Sequence, residues 1–163
     1  MPDARKALGT YVNDHLAGSA AGLELLRFIV GSNPGTELAR ELEPTIGQLQ
    51  EERRMLGRLL GRLGVRVDPV RQGVAWAGEK AARVRFARFV TRDADLSRLL
   101  ELEAMSAGVD GKRCLWWSLL AIEDDHPELA ELPLRDLEER ARQQRELLER
   151  HRLAAARRAL QSR

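Results

Sequence analysis

From Leu96 to Ile122 the chain reads LSRLLELEAMSAGVDGKRCLWWSLLAI, apolar almost all round at both ends of the run. A helix of that character has little surface to give to water and needs neighbours around most of its circumference. The rest of the chain has to supply them. Only 4% of residues are aromatic, and β-branched residues are sparse, which argues against a sheet as the partner layer. Other helices are the remaining solution.

Three further stretches carry apolar residues at alternating spacings of three and four, the mark of one helix face. The first is a helix over Ala4–Val30, capped by Asp3, with Leu8, Val12, His15, Ser19, Gly22, Leu26 and Ile29 in a row. His15 and Ser19 are polar intrusions on that stripe. The small residues from Ala17 to Gly22 either let a neighbouring helix approach closely or leave room for something else. Gly31-Ser32-Asn33-Pro34-Gly35 is a turn by composition. Thr36 or Ser32 caps a second helix that runs to Leu63 and stops at Gly64. Pro44 either kinks that helix or ends a short first piece near Glu43. Its inner row is Ile46, Leu49, Arg53, Leu56, Leu60 and Leu63, and Glu51, Glu52, Arg54, Arg58 and Arg62 form its wet face. After Pro133 a last helix over Leu134–Leu160 has the inner row Leu134, Leu137, Ala141, Gln144, Leu148, His151 and Ala155.

Between the second helix and the central one lies a long crossover, Val65 to Asp95, in which Val70–Phe89 reads as a shorter helix. A helical segment of that size runs the length of a bundle at about 1.5 Å per residue. Asp95 or Ser97 caps the central helix, which runs from Leu96 to about Glu123. Two antiparallel pairs joined by one long crossover make an all-α four-helix bundle, a single domain over residues 1–163.

In helix lengths and connection order the whole chain resembles the ferritin-like superfamily. The resemblance implies a bundle with a centre for two iron or manganese ions, held by a Glu from each of two helices and a Glu-x-x-His from each of the other two. Those ligands are missing here. The second helix offers Glu51-x-x-Arg54 and Glu52-x-x-Met55, the last helix offers Glu138-x-x-Ala141, and the single Glu-x-x-His, Glu123 with His126, sits against Pro127 at a helix end. The chain is similar to a branch whose metal centre is degenerate, so oxidase, storage and hydroxylase activities do not carry over. DinB-like bundles hold a metal through three histidines. This chain has His15, His126 and His151, with no pair four apart on one helix.

Candidate chemistry gathers at two levels of the bundle. One is a buried polar layer of His15, Arg53, Asp110 and Gln144. The other, nearer the opposite end of the bundle, brings Glu103 and His151 together, with Glu24 beside them, either as metal ligands or as an ion pair of Glu103 with His151 or Arg152, and a rebuilt metal centre would draw on His15, Glu103 and His151 with other carboxylates. Glu103 and Asp110 lie two helical turns apart on one face. Cys114, the lone cysteine, reads as a buried structural thiol without an activating motif. Trp116 and Trp117 point different ways on one helix, so one is core and the other, like Trp76, is an interface anchor. No Gly-rich phosphate loop, Cys-x-x-Cys pair or serine elbow is present.

The formal net charge is only +2. Basic residues crowd from Arg53 to Arg92, but they spread around helices rather than along one face, so nucleic acid is an unfavoured partner. The longest uncharged run, Cys114 to Ile122, is far short of the ~20 residues a membrane span needs. One cysteine and the charges Arg5 and Lys6 just after Met1 lead to the expectation of a cytoplasmic protein. The functional expectation is a structural or protein-interaction role, without enzyme activity and with no resident cofactor, in a homodimer. The alternatives are a protein using iron, manganese or zinc at a rebuilt centre, and a weak nucleic-acid binder through residues 53–92.

Overall fold

A computed structural model describes residues 4–66 and 93–161. All of its regular structure is helical: α1 (Ala4–Gly31), α2 (Glu37–Arg62), α3 (Ala94–Leu120) and α4 (Leu134–Leu160), with two short 3-10 turns, Glu123–Asp125 and Pro127–Leu129, between the last two. The expected crossover helix over Val70–Phe89, with Trp76 and most of the basic segment, lies outside the described residues.

Local chemistry sets the helix ends. Thr36 caps α2, its hydroxyl accepting the Ala39 N–H at 3.2 Å. Gly35 at φ 74° and Gly64 at φ 70° take the left-handed conformation on either side of that helix. At Pro44 the helix continues without a break, at the cost of one helical N–H. The cap of α3 is Asp93, not Asp95 or Ser97: its carboxylate accepts from Asp95 N–H at 2.9 Å and Leu96 N–H at 3.2 Å. The helix therefore starts and ends slightly earlier than its apolar run suggests.

The helices pack as two tight pairs, α1 with α2 and α3 with α4, and α1 lies against α3 across the bundle. Side-chain partners give the directions. Tyr11, near the start of α1, bonds Ser118, near the end of α3, at 3.0 Å. Arg140 of α4 meets Glu51 of α2, and Arg150 meets Glu41, so those two also run antiparallel. Neighbours are thus antiparallel, and the diagonal pairs α2/α3 and α1/α4 are parallel.

Two apolar clusters fill the interior. One, at the start of α1, is built on Leu8, Val12, Leu59, Leu60, Trp116, Leu119, Leu134 and Leu137. The other, toward the far end, is built on Leu26, Ile29, Leu42, Leu102, Met105, Val109 and Leu148. Between them each helix brings a polar residue inward at a regular three-four spacing of its core row: Ser19 between Leu16 and Leu23, Glu52 between Leu49 and Leu56, Lys112 between Val109 and Trp116, Gln144 between Ala141 and Leu148. That spacing is the seam of side-by-side helices. Among the described residues, no helix is long and apolar enough to cross a membrane.

Candidate functional site: a polar layer beside an open cleft

The polar layer is centred on Lys112. Its ammonium donates to Glu52 Oε2 at 2.7 Å and to Gln144 Oε1, and Gln144 Nε2 donates on to Gln48 Oε1 at 2.7 Å. The Glu52 and Lys112 side chains keep only 3% and 13% of their exposure, so the pair is desolvated. Burial pushes the Lys112 ammonium below its usual range, and the Glu52 carboxylate partly restores it. Glu52 Oε1 is buried without a hydrogen-bond partner among the described residues.

Arg53, next in sequence, turns the other way, toward α1. It donates to the Leu16 carbonyl at 2.9 Å and to the Ser19 hydroxyl. Ser19 itself donates to the Leu16 carbonyl at 2.6 Å. Burial holds the guanidinium below its ordinary range, and Arg27 adds repulsion. No carboxylate among the described residues pairs with Arg53. His15 lies half-buried one turn away with its ring edge-on to Tyr11, centroids 4.7 Å apart. Burial lowers its pKa, against an opposing pull from Asp14.

These groups form the floor and one wall of a cleft of about 450 Å³ between α1 and α3. Small residues make it. Gly18 and Gly22 of α1 face Gly108 and Gly111 of α3 across the opening, and a Cβ built on any of the four meets nothing within 4 Å. Along the small stripe the two helices thus leave a space between them. Gly9 is the opposite case, where an added Cβ would collide with Val65.

Of the expected polar layer, Gln144 is in place, while His15 and Arg53 stand on the cleft wall. Asp110 lies outside: it is exposed and binds Arg145 at 3.1 Å. Glu103, two turns earlier, is on the same outer face, 3.6 Å from Arg152. His151 pairs with Glu41 of α2 at 2.6 Å. There, burial is outweighed by hydrogen bonds from His151 and Arg150, which hold the Glu41 carboxyl below its usual range. His15, Glu103 and His151 are therefore dispersed, and no group of three or more His, Cys, Asp or Glu among the described residues is arranged to hold a metal ion. Cys114 is exposed, a correction to its reading as a buried thiol: it falls on the solvent side of α3 while Leu115 and Trp116 take the core. Trp116 is fully buried, and Trp117 is 49% exposed with Arg113 4.7 Å above its ring.

Glu52 and Lys112 escaped the sequence reading. A row through Ile46, Arg53 and Leu60 leaves Glu52 on the wet face. The row Leu42, Thr45, Leu49, Glu52, Leu56, Leu59 and Leu63 follows the three-four seam without slip, and all seven are buried. That register would have found it. Comparison with protein-family models, with curated proteins and with solved structures finds no match for this chain.

Proposed function

We propose that this chain is a non-catalytic binding protein on a ferritin-like bundle, in which a lysine-centred polar layer stands where metal-holding members keep their ions. Lys112 carries the reading: its ammonium lies in the bundle core between the Glu52 carboxylate and the Gln144 amide. The donor set at mid-bundle is one carboxylate, two amides and a cation. That set does not fit a two-metal centre, because the lysine already neutralises the buried acid and repels a second cation. Antiparallel neighbours, parallel diagonals and a chain order in which residues 67–92 join the parallel helices α2 and α3 support the ferritin-like assignment. The open cleft beside the layer supports binding as the activity. The homodimer belongs to the same reading, with exposed Trp117 as its anchor.

The test is elemental mass spectrometry of tag-free protein and of the His15→Ala and His151→Ala variants. No iron, manganese or zinc at whole-number stoichiometry is expected, even after growth with added metal. One or two ions per chain, lost in either variant, would overturn the reading and make the bundle a metal centre.

A further inference from the structure

The cleft between α1 and α3 has the two-ended character of a site for one class of small molecule. Its α3 wall runs from Ala104 to Trp116, on the order of 18 Å at about 1.5 Å per residue. Because α1 and α3 are antiparallel, the chemistry sorts by level. Toward the end of α1 the wall is Leu25, Leu49, Met105 and Val109, with Gly22 and Gly108 leaving the space between them. Toward the start of α1 it carries Arg53, His15, Lys112 and Glu52. The volume of about 450 Å³ falls in the ~300–1,000 Å³ range of ligand pockets.

At the polar end one cation, Arg53, has no carboxylate partner among the described residues. The buried pair there is Lys112 with Glu52, and half-buried Arg53 stands beside it outside that pair. Among the described residues Arg53 spends its hydrogen bonds on a backbone carbonyl and a hydroxyl, neither of them charged. Asp14 stands at the exposed rim, and Arg27, which also acts on Arg53, is itself paired with Glu24 at 3.0 Å. Trp116 backs the cleft but is fully buried, so its indole N–H, which has no acceptor among the described residues, is closed off from the open space. A guanidinium without a carboxylate partner at one end of an apolar cleft is what a carboxylate satisfies.

We propose that this cleft binds a medium-chain aliphatic carboxylate, its head on Arg53 and its tail along Leu25, Leu49, Met105 and Val109. The inference deepens the binding-protein reading and rests on it. Metal analysis decides that reading, and a ligand titration decides this one.

The experiment is calorimetric titration of the full chain with decanoate, below its micelle concentration, and with 1-decanol. Saturable one-to-one binding of decanoate is expected, with decanol weaker by about tenfold or more, the worth of a charged hydrogen bond. Arg53→Gln brings decanoate down to the decanol level. Gly108→Leu, which fills the space at the apolar end, abolishes both. Circular dichroism confirms that each variant is folded, and Gly108→Ala supplies a milder filling if the leucine variant is not. The proposal is overturned by absence of saturable decanoate binding, by decanol binding as tightly as decanoate, or by unchanged binding in folded Gly108→Leu. A metal-free protein that fails this titration leaves the parent reading standing and removes the carboxylate site.

Discussion

Lys112 Nζ sits 2.7 Å from Glu52 Oε2 in the middle of the bundle, and the two side chains come from diagonal, parallel helices. Such a pair is costly to desolvate and costlier to break. Lys112→Met strands a buried carboxylate and is expected to lose about 3–5 kcal/mol. The double variant Glu52→Leu/Lys112→Met removes both charges and is expected to return to within about 1–2 kcal/mol of the parent, or to exceed it. Urea denaturation of the three proteins measures both numbers. A single variant costing less than about 1 kcal/mol would mean that the pair is open to water.

The glycines predict opposite outcomes for one substitution. At Gly22 and Gly108 a methyl meets open space inside a helix. Alanine there should stabilise by about 0.5–1 kcal/mol, because it lowers the entropy lost on folding. At Gly9 the methyl strikes Val65, and Gly9→Ala should destabilise by about 1–3 kcal/mol through overpacking. Thermal melts of the three variants check the signs. A stabilising Gly9→Ala would show that Val65 gives way freely.

The contrast shows what the sequence could and could not carry. Helix positions were legible because apolar spacing, Thr36, Gly35, Gly64 and Pro133 are local signals, and each acts within a turn or two of itself. The central layer was only partly legible. Gln144 sits in an unambiguous row, from Leu134 to Ala155, and its side chain is buried. On α2, two rows one residue apart are both rich in leucine, and choosing between them depends on how α3 and α4 pack, which is not local. That one-residue difference separates Arg53 on the cleft wall from Glu52 in the core. Asp110 and Glu103 were legible as one face, but not as the outward one: their partners Arg145 and Arg152 belong to another helix. The small-residue stripe left two readings, close contact or open space, and only the three-dimensional separation of α1 and α3 decides between them.

His15 gives stability a pH dependence of known sign. Burial lowers its folded-state pKa, so the folded protein binds this proton less readily than the unfolded chain does. The stability it contributes is fully present above the unfolded pKa of about 6.5. It is lost as pH falls from there through the lower folded value. The urea midpoint should therefore drop between about pH 7 and about pH 5 by more in the parent than in His15→Leu. Equal slopes would show that the ring is solvated in both states.

Cys114 and Trp117 stand three residues apart on α3, and both are exposed. The Cys114 carbonyl accepts a 2.8 Å bond from Ser118, and the Arg113 guanidinium covers one face of the Trp117 ring. A thiol in that position is open to a maleimide in the folded monomer, so dilute native protein should label to one equivalent without denaturant. The same thiol reports on association. If Trp117 anchors a homodimer, its neighbour Cys114 is shielded as the dimer forms, and labelling should slow with rising protein concentration. Trp117→Ala removes an aromatic anchor of the kind that costs about 2 kcal/mol or more at an interface, and it should restore the dilute rate. Labelling that requires denaturant would mean that the thiol is covered within a single chain. A rate independent of concentration, in a protein that sediments as a dimer, would move the interface away from this face of α3.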